Sequence, residues 1–393
     1  MHPNTYSWAL SWALSWAMAV AALCSLANPT PARAEKTADL DTALETLLTA
    51  GPGDSGQTQL QTAWKKVASS DSSAIVTILK AMPDSNPLAQ NWLRSTVDTI
   101  AERTLQTGAQ LPTEELKRFL LEPSHSSRAR WVAYEWLNEV APGPTAELLS
   151  QLLNDSSLAI RFEAVSQWMD KAETTEDSSV KINTYRTAIA AARDKQQIDQ
   201  CVDALQKLGE TVDPNSLLGF IESWQVVGPF SNAEKKGFAT NYPPEDAVDL
   251  TATYAGKEGE VTWHPRNTSG DYGKVDLNLA LDKHMGAVAY AWVSILSPTE
   301  QSVECRWMTP NASKIWVNGE LIAEHEIYHA SSGPFDQYKA PAELRKGPNT
   351  IMLKVCQNEQ TESWAQDWEF QLRLTDKLGG PLPDVTTNLQ VNP

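Results

Sequence analysis

Cysteine and histidine are scarce in this chain, at four and six in 393 residues, and no two cysteines stand in C-x-x-C spacing. That spacing is what a thiolate zinc site or an attached haem requires, so neither is encoded. G-x-S-x-G, G-x-x-x-x-G-K-[ST] and a G-x-G-x-x-G following a strand are also missing. Their absence removes the sequence grounds for a nucleophile-elbow hydrolase, a P-loop nucleotide site and a dinucleotide site. Positive charge is short as well: 32 Lys and Arg stand against 49 Asp and Glu, a net charge of −17. A surface so acidic offers no counter-charge to nucleic acid and is repelled by anionic lipid. Hydrophobic residues, by contrast, make up 41% of the chain and include 15 tryptophans, ample for packed cores.

The length suits two domains. An apolar run, Trp8–Leu26, carries the repeat S-W-A-L, S-W-A-L, S-W-A-M and leads through Pro29 and Pro31 to Ala32-Arg33-Ala34. Small residues three and one positions before Glu35 are what a signal peptidase needs, so residues 1–34 read as a signal peptide and the chain as exported, periplasmic or extracellular. The n-region has His2 but no Lys or Arg, and retention as an uncleaved anchor is the alternative. Cleavage near Ala34 leaves Cys201, Cys305 and Cys356, an odd number. Cys305 and Cys356 fall on strands of the same domain. A disulfide between them is one outcome in an oxidising compartment, two buried thiols the other.

Residues 35–220 carry apolar stripes of period 3.6, among them Leu40, Leu44, Leu47 and Leu48, then Ile75, Ile78 and Leu79. Short breakers such as Gly51-Pro52-Gly53 and Pro142-Gly143-Pro144 separate them, so the helices must be antiparallel neighbours. Tyr185–Leu208 reads as one more helical hairpin, around Asp194-Lys195. Trp92, Trp131, Trp136 and Trp168 lie at stripe positions and are expected in the core. Asn154–Val165 resembles a HEAT-type repeat, and Ser126–Ala133 matches it with Arg130 over Arg161 and Ala133 over Ala164. An irregular bundle without true repeats is the alternative. Stacked pairs of this kind make concave protein-binding surfaces.

Near Ile221 the period changes to 2. Strand candidates are Ile221–Val227, stopping at Gly228-Pro229, then Val261–Trp263, Val275–Leu279, Val288–Ile295, Gln301–Trp307, Lys314–Val317, Leu321 onwards, Thr350–Val355 and Trp368–Leu374. Short strands at near-regular spacing predict an antiparallel sandwich over 221–376, with 377–393 a tail.

Residues 221–376 resemble the galactose-binding-like jelly-roll domain that accompanies HEAT-like helices in a family of secreted bacterial proteins. The residues that carry the resemblance are Trp224–Phe230, Gly237-Phe238, Tyr242–Glu245, Lys314–Gly319, Phe335–Tyr338, Leu344–Thr350 and Trp368–Arg373. The resemblance implies an α + β multidomain protein, a HEAT-like α-helical array followed by an antiparallel β-sandwich related to carbohydrate-binding modules, with no catalytic residues. Its expected partners are a glycan or cell-envelope polysaccharide and, through the helices, another protein.

Sugar recognition pairs an aromatic face with amides and carboxylates in a shallow site. Two loops offer that mixture. One supplies Tyr328, His329, Phe335, Asp336, Gln337 and Tyr338; the other, Gln357–Asp367, supplies Asn358, Glu359, Gln360, Glu362 and Trp364. At eleven residues the second is far longer than a hairpin turn requires. The opposing reading has Trp364 and Phe335 plugging the sandwich end, in a domain that serves only as a spacer.

His325-Glu326-Ile327-Tyr328-His329 spells H-E-x-x-H, which on a helix would set two zinc ligands one turn apart with Glu326 as general base of a hydrolase. Asn318-Gly319 just before it is the strongest short hairpin signal, since both positions of a type I′ turn need positive φ. A strand through His325 would hold the two histidines about 13 Å apart, too far to share an ion. Asp246, Asp249, Asp271 and Asp276 are the candidates for a structural calcium, though no spacing singles them out, and no cofactor is expected.

Overall fold

The computed structural model describes residues 31–51, 56–268, 270–330, 333 and 336–387. The expected signal segment up to residue 30 and Phe335 lie outside them. The chain divides into two compact units, Met1–Val140 and Ala141–Pro393.

The first unit is helical: α1 (Pro31–Leu48), α2 (Gln57–Ala68), α3 (Ile75–Ala81), α4 (Pro87–Gln106), α5 (Thr113–Leu121) and α6 (Ser127–Val140). The stripes become its core, with Leu44, Leu47, Leu60, Val67, Ile75, Ile78 and Leu79 buried. Asn86 caps α4 by accepting from Ala89 N, and Pro87 takes the first helical position, where its missing N–H is no loss. Trp92, Trp131 and Trp136 are half-buried rather than central, as is Trp168 in the second unit. The indole of Trp136 donates to Asp98 at 2.9 Å.

The second unit begins with α7 (Pro142–Leu149), α8 (Leu158–Thr174), α9 (Ser178–Ala191), α10 (Lys195–Lys207) and α11 (Pro214–Leu218). Asp177, Asp194 and Asp213 each cap the helix that follows. Arg130 and Arg161 are equivalent in more than sequence: each is buried, and each donates Nε at 2.8 Å to a backbone carbonyl, Leu120 O and Asp155 O respectively.

Thirteen strands follow among the described residues: β1 (Ser223–Ser231), β2 (Thr253–Ala255), β3 (Glu260–Thr262), β4 (His264–Asn267), β5 (Val275–Asp276), β6 (Ala287–Ser297), β7 (Gln301–Met308), β8 (Ala312–Val317), β9 (Glu320–His325), β10 (Tyr338–Leu344), β11 (Gly347–Gln357), β12 (Glu369–Thr375) and β13 (Thr386–Thr387). Short helices α12 (Pro243–Asp246) and α13 (Leu277–Ala280) interrupt them. One sheet runs β4-β1-β6-β11-β8-β9 with β13 on β6, a second runs β10-β7-β12-β5, and every pairing is antiparallel.

Strand β6 shows why the domain has two cores. Ala289, Ala291, Val293 and Ile295 face the second sheet, packing with Trp307, Leu353, Phe370 and Leu372. Val288, Tyr290 and Trp292 point the other way, to Phe230, Phe238, Trp263 and Met352. Successive side chains alternate faces, so a strand buried on both sides reads as unbroken hydrophobicity.

Three sequence expectations change here. Strand β1 does not stop at Gly228-Pro229 but passes through a bulge between Val227 and Phe230. Gly228 sits at φ 153°, where a Cβ would meet Val288 O at 2.9 Å, so the close approach requires glycine. The expected strand Val275–Leu279 is two residues of β5 followed by α13, which Asp276 caps by accepting from Leu279 N. Strand β10 was not anticipated; it is an edge strand, which is how it tolerates Pro341.

Cys305 and Cys356 are free thiols and make no disulfide. Cys305 faces the inter-sheet core, whereas Cys356 faces the opposite side of its sheet, so their Cβ vectors point apart. Burial pushes both thiols and that of Cys201 up to about 12. All three should resist a thiol reagent at pH 8 in the native protein and react once it is unfolded. Labelling of any of them in the folded state, read by peptide mapping, would contradict that burial.

Candidate functional site

The two loops singled out in the sequence meet at one end of the two-sheet domain, joined through Thr309–Asn311. Tyr328 and His329 reach it from β9: His329 N donates to Pro310 O at 2.7 Å. Gln337 reaches it through its Oε1, which accepts from Thr309 N at 3.3 Å. From the other side, Asn311 Nδ2 donates to Gln357 Oε1 at 2.9 Å and to Asp367 O at 3.0 Å.

Most of the first loop is committed to structure. Tyr328 OH accepts from Asn232 Nδ2 at 3.1 Å; burial pushes its hydroxyl up to about 12. Asp336, at φ 54°, is clamped by Arg373 and Arg306, with Arg373 Nε at 2.8 Å and Arg306 Nη1 at 2.9 Å. Burial alone would raise its carboxyl pKa, but hydrogen bonds and charge from the two guanidiniums outweigh it and hold the group below the usual carboxylate range. Tyr338 stacks on His325 with ring centroids 4.3 Å apart, and its OH lies 2.8 Å from His329 Nε2.

The H-E-x-x-H segment is therefore not helical. His325 ends β9 and residues 326–329 form no helix or strand, so the helix that a zinc-protease reading needs is not formed. Tyr338 nevertheless gathers both histidines around one ring. Among the described residues no three His, Cys, Asp or Glu side chains gather as a metal site. Asp246 holds Asn241 Nδ2, Asp249 forms a turn with Thr251, and Asp276 caps α13, so each of these carboxylates is used locally.

The second loop divides differently. Gln357, 1% exposed, fixes its base: Nε2 donates to Ala365 O and Asp367 O, and Oε1 accepts from Asn358 N. Asn358 is buried, and Glu359 accepts from Glu234 N at 3.1 Å. Glu362 and Trp364 are left to solvent. Trp364 lies in a single turn of 3-10 helix, Ser363–Ala365, and is 54% exposed, whereas Trp307 and Trp368 are buried.

Helix α13 braces that turn. Asn278 Nδ2 donates to Gln366 O at 3.0 Å, and Lys283 Nζ donates to Gln366 Oε1. Leu279 on the same helix is 76% exposed. It also borders a cleft of about 460 Å³, whose polar walls include Glu258, His264, Arg266, Asp282 and His284. Arg266 is held by Ala280 O at 2.8 Å, and His284 Nδ1 lies 3.6 Å from Glu258 Oε1. The exposed indole can stack a ring, and the cleft's carboxylates and imidazoles can hydrogen-bond hydroxyls. Sequence reasoning missed α13 and the cleft. The available signal was Asp276 three residues before Leu279, a helix-capping spacing inside what otherwise reads as a strand.

No family model matches this chain, and no curated protein matches it. Solved structures that align with it include a family 35 carbohydrate-binding module from an environmental isolate, at 14% identity and TM-score 0.18, over 25% of this chain and 70% of that one. A β-glucuronidase from Faecalibacterium prausnitzii aligns at 14% identity and TM-score 0.23, over 40% of this chain and 31% of its own. A β-glucosidase from Kluyveromyces marxianus in complex with glucose aligns at 10% identity and TM-score 0.25, over 72% of this chain and 35% of its own. The chain thus spans about a third of the length of these two glycosidases. Likeness at this level defines neither fold nor function.

Proposed function

We propose that this chain is a non-catalytic, exported binding and scaffolding protein. Its two-sheet domain, read as a galactose-binding-like jelly roll, engages a glycan or another cell-envelope component, and its HEAT-like helices present a surface to a protein partner. The observation that carries this reading is Trp364. A large aromatic ring left half in water, on a loop whose base is pinned by buried Gln357 and braced by α13, is preorganised for stacking rather than for packing.

The test is glycan-array or pull-down binding to envelope polysaccharide by the full chain and by Trp364→Ala. Losing the indole should weaken binding by about 1–3 kcal/mol, roughly fivefold to 150-fold, by analogy with stacked rings elsewhere. The melting temperature should fall far less than for a core tryptophan, since more than half of the residue is in solvent. Undiminished binding in Trp364→Ala would sink the reading. Export predicts that the mature protein from a bacterial envelope fraction begins at Glu35; a cytoplasmic chain retaining Met1 would contradict it.

A further inference from the structure

Outside the two sheets, the second unit holds a pocket of about 360 Å³ between α8, the turn before α10 and α10 itself, lined by Leu158, Arg161, Phe162, Arg193, Asp194 and Gln197. Its volume lies within the range of roughly 300–1,000 Å³ usual for small-molecule sites. Two polar atoms in its wall are buried without any hydrogen-bond partner, Arg193 Nε, a donor, and Gln197 Oε1, an acceptor. Gln197 is 3% exposed, and its Nε2 is committed to Phe162 O and Ser166 Oγ, both at 2.9 Å, which fixes the free oxygen as the acceptor.

Leaving a buried donor and a buried acceptor unmatched costs about 1–3 kcal/mol each, and native proteins rarely do so. The charge is only partly matched: the field of Asp376 reaches both guanidiniums, but at Arg193 it stands against Arg161, Arg373 and Arg306. Arg161, 4% exposed, donates to Asp155 O and Ala191 O, and Arg193 donates to Ala190 O and Ala192 O. These acceptors are all backbone carbonyls. Burial, followed by the field of Arg161, lowers Arg193 to about 10. Meanwhile Leu158 and Phe162 at the rim are 49% and 41% exposed, an apolar surface with nothing described upon it.

We infer that this pocket is a second ligand site, for a small carboxylate that also carries hydroxyl groups and an apolar ring face, such as a hexuronate unit. The carboxylate answers the two guanidiniums, a hydroxyl donates to Gln197 Oε1, and the ring face lies on Phe162. Since neither unmatched atom touches water, seating the ligand takes a side-chain turn, for which the adjoining volume leaves room. The inference stands independently of the reading given to Trp364.

Calorimetric titration of the full chain with D-glucuronate tests it, with D-glucose, butyrate and inorganic phosphate as comparison ligands. Glucuronate should bind at least tenfold more tightly than glucose, which lacks the carboxylate, and than butyrate, which lacks the hydroxyls. Phosphate, with no ring to lay on Phe162, should also bind at least tenfold more weakly. Arg193→Met should lower glucuronate affinity at least tenfold, and Gln197→Glu, which keeps the shape but adds a negative charge, should do the same. Trp364→Ala should leave it unaltered. Amide shifts of Phe162 and Gln197 on titrating the wild-type protein give a reading that needs no variant to fold. Equal affinity for glucose, no heat and no shift with glucuronate, or undiminished binding in both folded pocket variants would each overturn the inference.

Discussion

Replacing Glu245 by alanine should destabilise the second unit by about 3–5 kcal/mol, the usual cost of stranding one partner of a buried ion pair. The stranded partner would be Lys354, whose side chain is 0% exposed in the middle of β11. Its Nζ donates to Glu245 Oε1 and Thr240 O, both at 2.7 Å, and to Phe238 O at 3.2 Å. Tyr290 donates its hydroxyl to the same carboxylate oxygen, and burial followed by that hydrogen bond pushes the phenol pKa far upward. The rings of Tyr242 and Tyr290 flank the ammonium at 5.6 Å. Together these contacts fasten the segment around α12 over the outer face of the large sheet. Domains have a net stability of only about 5–15 kcal/mol, so the loss is a large fraction of the whole. At roughly 2–4 °C per kcal/mol for a unit of this size, the melting temperature should fall by roughly 6–20 °C.

The charge itself is not what the fold needs. The double variant Glu245→Leu/Lys354→Met keeps the volume and removes both charges, and should recover most of the lost stability. Denaturant melts of the two single variants and the double one form a cycle that isolates the pair. A Glu245→Ala protein within about 1 kcal/mol of wild type would show that the ammonium finds its compensation in the carbonyls and rings alone.

What the sequence disclosed follows from how far apart in the chain each cause lies. The Asn318-Gly319 turn is local, and both residues take the positive φ that their types favour, 53° and 82°. Helix stripes and strand alternation are local too, and they place the helices N-terminal and the antiparallel sheets C-terminal. Three tryptophans show where local pattern stops. Trp307 and Trp368 beside period-2 strands are buried, while Trp364 in a long polar loop is exposed. The length and polarity of that loop left plugging and stacking both open for its tryptophan. Asp336, Gln337 and Tyr338 looked like free ligand groups because their partners, Arg306, Arg373, Thr309 and His325, are between 13 and 37 residues away. No window of sequence contains such pairs. Lys354 is the same case, a lysine at an apparently outward strand position whose counter-ion lies 109 residues earlier.

Asp336 carries the other large effect. Its Oδ1 and Oδ2 take both Arg373 and Arg306, and Arg373, 1% exposed, also donates to Leu218 O and Gly379 O at 3.1 and 3.2 Å. One guanidinium thus ties the end of α11 and the turn after β12 to the sheet. Arg306 keeps Glu304 as a second partner at 2.7 Å, whereas Arg373 meets Asp336 through two of its nitrogens. Asp336→Ala should therefore cost about 3–5 kcal/mol, mostly as the desolvation of a buried Arg373 deprived of this carboxylate. The pH dependence follows from the direction of the shift. The folded protein holds this carboxyl below its unfolded pKa of about 3.9, so between the two values the unfolded chain binds more protons. The stabilisation is fully present above the unfolded pKa and disappears as pH falls through the folded one. Melting temperatures of the wild type should drop across that acid window. Asp336→Asn, already lower at pH 7, should drop less steeply, and the two curves should converge at the acid end. Parallel curves would mean that the Asp336 carboxyl titrates alike in the folded and unfolded chain, and that the arginine clamp contributes nothing to acid stability.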